Sequence, residues 1–173
     1  MTLVTVGTAK NPFPRLLEEV ERLAAGGMLT GEIVVQHGYT PFVSQHCQAR
    51  AFLEREEFEA ALAAADLVIT HGGTTVLRAV RTGKVPVVMP RLARHGEHID
   101  DHQVLFAETF ARQYHIAIAA EPKDLFAAIE RARALQRTNQ IDESERLEPP
   151  LISELRALLQ SLQRQQQRPR RTT

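Results

Sequence analysis

The stretch that decides the fold runs Ala65-Asp66-Leu67-Val68-Ile69-Thr70-His71-Gly72-Gly73-Thr74-Thr75. Leu67, Val68 and Ile69 form a short apolar run, the pattern of a strand covered on both faces. Two glycines then break it. Val76, Leu77 and Val80 recur at helical spacing until Gly83 stops them. Strand, glycine turn and helix in that order are the repeating unit of a parallel sheet.

The alternation continues in both directions. Upstream, residues 2–6 read as a buried strand ended by Gly7-Thr8. Asn11 is placed to cap a helix with Pro12 in its first turn, where a missing N–H costs nothing. Leu16, Leu17, Val20, Leu23 and Ala24 share one face of that helix, and Gly26-Gly27 closes it. A second strand is expected over 32–37 and a short third near 49–53, before a helix marked by Phe58, Ala61, Leu62 and Ala65. Downstream, a strand over 85–89 closes at Pro90 and a polar loop follows from 91 to about 99. A helix then carries Leu105, Phe106 and Phe110, the last strand spans 116–119, and Pro122 opens a helix carrying Leu125, Phe126 and Ile129. The expected fold class is α/β, a single doubly wound parallel sheet over residues 1–136. Residues 137–150, polar with a double proline, read as a linker. Residues 151–173 hold an amphipathic C-terminal helix, with Leu151, Ile152, Leu155, Leu158, Leu159 and Leu162 on one face, and an Arg/Gln-rich tail.

At 173 residues the chain is long enough for one domain with its own core. Its 21 Lys and Arg balance 21 Asp and Glu, so it lacks the excess cation of a broad nucleic-acid binder. One cysteine allows neither a disulfide framework nor a thiolate zinc site. No apolar run approaches the roughly 18 residues of a spanning helix. No signal-like stretch precedes the first strand. A soluble cytoplasmic protein is expected.

Ligands of open parallel sheets bind beyond the carboxyl ends of the strands. That rule points to Gly7-Thr8, to the turn 71–75 and to the loop 91–103. In the turn, Gly72 and Gly73 permit close backbone approach, Thr74 and Thr75 add hydroxyls, and a helix begins there. The N–H groups and partial positive charge of a helix start suit a diphosphate. The same glycines also suit a tight strand-to-helix turn, and His71 reads equally as a satisfied turn residue. The motifs GxGxxG, GxxxxGK[ST] and GxSxG are absent, so dinucleotide, P-loop and nucleophile-elbow chemistries lose support. His37 and Cys47 read as structural.

The loop Arg91-Leu92-Ala93-Arg94-His95-Gly96-Glu97-His98-Ile99-Asp100-Asp101-His102-Gln103 is rich in histidine and acid. A metal-binding HxHxDH run ending at His102 needs histidine where Glu97 and Ile99 stand, and HExxH is missing. No metal is expected. The remaining readings are a solvated polar loop or one that hydrogen-bonds a polyhydroxylated ligand, for which Gln103 offers both donor and acceptor.

The 65–75 segment, Gly83-Lys84-Val85-Pro86-Val87-Val88-Met89-Pro90-Arg91 and Gly96-Glu97-His98-Ile99-Asp100-Asp101-His102-Gln103 together resemble the C-terminal domain of glycosyltransferase family 28. Val4-Thr5-Val6-Gly7-Thr8 fits as well, and the likeness covers about residues 2–135. It is strongest to small one-domain members: the catalytic subunit of the two-subunit UDP-N-acetylglucosamine transferase of the dolichol pathway, and bacterial counterparts in exopolysaccharide and capsule synthesis. The resemblance implies a Rossmann-like, donor-binding half of a GT-B enzyme. Gly7 and Thr8 would face the diphosphate. His71, Gly72, Gly73, Thr74 and Thr75 would cradle phosphate. His102 and Gln103 would contact the donor sugar, with Gly96, Glu97 and His98 in the loop leading to them. The full-length peptidoglycan members hold ribose with a glutamate one turn into the helix. Here that position is Arg78, which leaves the ribose contact open.

The resemblance further implies inverting transfer of a hexose or N-acetylhexosamine from a UDP-sugar, without a metal or other cofactor. A complete GT-B enzyme has two such domains, and this chain has room for one. The expected partner is a membrane-anchored subunit that holds a lipid-linked acceptor and supplies the general base. This chain would then lie at the membrane only through that partner, with 151–162 as a candidate docking helix. The alternative is a nucleotide-sugar-binding regulatory module without catalytic duty, which Arg78 favours. An unrelated flavodoxin-like protein, a third possibility, would bind no UDP.

Overall fold

The computed structural model describes residues 1–99 and 102–138. The expected linker and C-terminal helix lie outside the described residues. Six strands pair entirely in parallel in the order β3-β2-β1-β4-β5-β6. They are β1 (Thr2–Thr5), β2 (Ile33–Gln36), β3 (Gln48–Arg50), β4 (Leu67–Thr70), β5 (Val87–Val88) and β6 (Ala117–Ile118). Four α-helices connect them, α1 (Pro14–Ala25), α2 (Arg55–Ala64), α3 (Thr74–Arg81) and α4 (His102–Gln113), and α5 (Leu125–Thr138) follows β6. The doubly wound sheet read from the sequence is the sheet observed.

Successive residues of a strand point to opposite faces. Both faces are covered here, so every residue of β1 and β4 is buried. On one face, Val4 and Ile69 pack with Leu16, Leu17, Val20 and Leu23 of α1 and Leu125 and Ile129 of α5. On the other, Leu3 and Val68 meet Phe58 and Leu62 of α2 and Ala79 of α3. This two-sided burial explains why the central strands read as continuous apolar runs rather than alternating ones.

Several boundaries differ from expectation, each for a local reason. α1 begins at Pro14 rather than at Asn11-Pro12. The Phe13 N–H donates to Thr40 Oγ1 at 2.9 Å and the Phe13 ring is fully buried, which keeps this residue out of the helix. Asn11 instead donates its side-chain amide to the Gly96 carbonyl at 3.0 Å. The third strand is three residues, Gln48–Arg50. The Leu53 N–H goes to Gln36 Oε1 at 3.1 Å instead of continuing the ladder. β5 is shorter than expected because the Val85 N–H is taken by Gln136 at 2.7 Å and Pro86 has none to give. Pro122 opens a 3-10 turn, Pro122–Asp124, that leads into α5.

β1 lies between β2 and β4. Connections run to opposite faces on either side of it, so the loops after β1 and β4 diverge and leave a crevice at the carboxyl edge. The loop after β1 is fixed from the β2 side by Gly38, which has φ +58°. A Cβ added at Gly38 would stand 2.7 Å from the Gly7 carbonyl oxygen. The Gly38→Ala substitution is therefore expected to cost about 1–3 kcal/mol. Urea unfolding followed by circular dichroism measures this, and an unchanged midpoint would contradict the packing described.

Candidate donor-binding cleft

The crevice is a cleft of about 660 Å³. Thr5, Gly7, Thr8 and Ala9 line it from β1 and its loop, and His71, Gly72, Gly73, Thr74 and Thr75 from the turn after β4. The sequence-derived residues of these two segments thus share one wall. Gln36, Leu53, Arg55 and Phe58 complete it from the β2–α2 side, and Arg78 from α3. Gly72 and Gly73 have φ of +127° and +67°, backbone that other residues rarely adopt. They carry the chain directly into α3, whose first N–H groups face out of the helix end.

His71 forms the floor. A Cβ added at Gly7 would lie 2.5 Å from His71 Cε1, so the bare glycine lets the ring rest against β1. Burial, with Arg91 and His98 nearby, lowers the His71 pKa to about 4, against a partial rise from the Thr5 backbone. The imidazole is therefore neutral at physiological pH, with one N–H to donate and one nitrogen to accept.

Arg78 does not face solvent alone. It pairs with Glu59, lies 4.8 Å from the Phe58 ring centroid and lines the cleft. Its hydrogen bond, helped by its charge, holds the Glu59 carboxyl below the usual carboxylate range. Among the described lining residues, Arg55 and Arg78 bring positive charge and there is no carboxylate. The cleft thus suits an anion.

The second group of sequence-derived residues lies apart from this lining. Glu97 is 3% exposed, takes Arg15 Nε at 2.6 Å and accepts the Leu92 N–H at 2.9 Å. Gln103 is buried, and its Oε1 accepts the Arg91 N–H at 3.2 Å. His98 is half-buried, and His102 is the first residue of α4. Arg91 stands at the centre of this region, fully buried. Its guanidinium donates to the carbonyls of Asn11 at 2.7 Å, Glu97 at 3.2 Å and Val6 at 2.8 Å. It also lies 4.8 Å from the Phe13 ring centroid. Among the described residues no group of three or more His, Cys, Asp or Glu is placed to hold a metal ion. Cys47 is half-buried beside Glu21, and burial pushes its thiol up.

Sequence reading missed Gln36, Arg55, Phe58 and the burial of Arg91. Gln36 ends a strand at the carboxyl edge, so the rule that found Gly7 also reaches it. Phe58 reads only as a core position of its helix, and Arg55, in the same first turn of α2, carries no periodic signal. A lone arginine after a strand gives no sign that its charge is enclosed.

His71 makes stability depend on pH. Its folded pKa of about 4 lies below the ordinary 6.5, so between these values the unfolded chain binds more protons. Stability is expected to fall as pH drops from 6.5 toward 4, and the His71→Gln variant should lose that part of the slope. Urea titrations of both proteins across this window measure the difference. Parallel slopes would refute the neutral buried imidazole.

The family model of the glycosyltransferase family 28 C-terminal domain matches residues 1–162. No curated protein matches the chain. Among solved structures, the glycotransferase of kitacinnamycin is 20% identical with TM-score 0.55, covering 79% of this chain and 38% of its own. The spinosyn forosaminyltransferase SpnP is 18% identical with TM-score 0.52, covering 91% of this chain and 43% of its own. These likenesses concern the fold, and the chain spans less than half the length of either structure. The parallel six-stranded sheet agrees with them, and the family match extends over both the glycine turn and the Arg91–Gln103 segment. The chain belongs to glycosyltransferase family 28, through that family's C-terminal domain.

Proposed function

We propose that this chain is the donor-binding half of an inverting UDP-sugar glycosyltransferase. The observation that carries the reading is the cleft itself. It gathers Gly7, Thr8 and the turn 71–75 at the start of α3, with two arginines and no carboxylate among the described lining residues. The diphosphate would rest on the α3 N–H groups, against the neutral His71 ring. Leaving-group charge would be met by these fixed dipoles, already oriented before reaction.

Gln103 and His102 would meet the donor sugar from the α4 side. Gln103 uses its oxygen on the Arg91 N–H, and its NH2 group would donate to a sugar hydroxyl. Glu97 and His98 would support that loop. The transferred group would be a hexose or N-acetylhexosamine, and UDP-N-acetylglucosamine is the leading donor.

The acceptor would come from a second polypeptide, membrane-anchored and holding a lipid-linked acceptor. No described helix is long and apolar enough to cross a membrane. The second reading, a nucleotide-sugar-binding regulatory module, draws on Arg78, a cation in the cleft where the resemblance places a glutamate.

Calorimetric titration of the full chain with UDP, ADP and GDP, with and without chelator, tests the donor site. Selective, chelator-resistant UDP binding is expected. The Gly7→Ala variant should weaken it at least about tenfold, because the new methyl displaces His71. The Gln103→Ala variant should weaken UDP-N-acetylglucosamine more than UDP. Equal losses for the two ligands would remove the sugar contact from Gln103. Sugar transfer by the chain mixed with a membrane-anchored acceptor subunit, and none by either alone, would separate the enzyme from the regulatory module.

A further inference from the structure

We propose that Arg91 is a positioning residue of the donor cleft, one buried guanidinium that holds the loop after β1 and the loop after β5 in register with His71. The inference rests on the donor-site reading for its consequence, but its geometry is independent of any ligand. Arg91 is fully enclosed and lines no part of the cleft. It takes the Val6 carbonyl, immediately before Gly7, at 2.8 Å. It takes Asn11 further along the same loop at 2.7 Å, and Glu97 on the loop after β5 at 3.2 Å. The Asn11 side chain repeats the crosslink by donating to Gly96. Gly7 in turn carries the His71 ring on its bare Cα. The mechanical path is thus Arg91 to Val6, Val6 to Gly7, and Gly7 to His71.

A second consequence is electrostatic. The groups acting on His71 are Arg91 beyond the end of β5, His98 on the following loop, the Thr5 backbone on β1 and the adjacent Thr70 hydroxyl. Of these, Arg91 is the permanent cation. Glu97, paired with Arg15, offsets part of its charge. A lysine at 91 would keep the charge but could not reach three carbonyls in one plane. A methionine would lose both. The two functions are therefore separable.

The test uses the full chain as wild type, Arg91→Lys and Arg91→Met, with folding checked by circular dichroism. The His71 imidazole is titrated by NMR. In wild type the midpoint is expected near 4; in Arg91→Met it should rise by part of the difference from 6.5, since burial, the larger cause, remains. Amide hydrogen exchange is then read in Arg91→Lys, where the loops at 7–8 and 97–98 should both exchange faster while the His71 midpoint stays low. UDP-glucose, whose diphosphate does not titrate in this range, should bind Arg91→Lys about tenfold more weakly. An unmoved His71 midpoint in folded Arg91→Met would overturn the proposal. So would unchanged exchange at both loops in Arg91→Lys, an arm that still decides if Arg91→Met fails to fold. Absence of UDP-glucose binding in wild type, with the titration and exchange as expected, would instead count against the donor-site reading and leave Arg91 in its assigned role.

Discussion

The constraint on which this structure depends is the two-sided burial of β1 and β4. A strand covered on both faces has no side-chain position left for polar chemistry along its length. Thr5 and Thr70, at the carboxyl ends, are the first polar residues past the apolar stretches, and both are fully buried. Function is therefore pushed into the loops beyond them. Because β1 sits where the strand order reverses, its loop and that of β4 separate and a ligand can enter between them. Cleft position is thus a consequence of strand order, and strand order follows from which faces the helices must cover.

Loops at a sheet edge are the least constrained parts of such a fold, yet a binding site needs them fixed. Here the fixing element is charge placed inside the protein. Enclosing a guanidinium is costly unless its donors find partners. Arg91 finds three carbonyls through its terminal nitrogens and the face of Phe13, with the Glu97 carboxylate close by, while its buried Nε is left without a hydrogen-bond partner. Arg15 adds a second cation, donating to Glu97 at 2.6 Å and to the Pro90 carbonyl at 2.5 Å. Hydrophobic residues of similar volume would fill the same space without holding those carbonyls. The two arginines and the one enclosed glutamate form a polar core beneath the loops, distinct from the apolar core beneath the sheet.

This division explains how much was legible in the sequence. Apolar runs, glycine breaks and helical spacing are local signals, and they placed all six strands and the glycine turn. The start of α1 was misread because its controlling contact, Phe13 to Thr40, spans 27 residues. Gly7, Thr8 and the turn 71–75 were found because the edge rule depends only on strand ends. Gln103 was picked out by residue type in a polar loop, and Glu97 through the family resemblance alone. The structure gives each an inward hydrogen bond whose partner, Leu92 or Arg91, no sequence pattern specifies. Arg55 and Phe58 reach the cleft only through the packing of α2 against the sheet, which is tertiary information.

The electrostatics of the cleft also bear on where proton transfer would occur under the proposed reaction. An inverting displacement needs a base for the acceptor hydroxyl, and an effective base has a pKa near the working pH. His71, at about 4, holds too weak a basic nitrogen, and the described lining carries no carboxylate. What the cleft offers instead is N–H groups and two guanidiniums, all suited to an anion and none to accepting a proton. Under the proposed reading, such a cleft would stabilise a leaving diphosphate, and the base for the acceptor hydroxyl would be sought outside its described lining. The proposal of a second polypeptide that supplies the base is consistent with this lining, in which the described charged groups are cations.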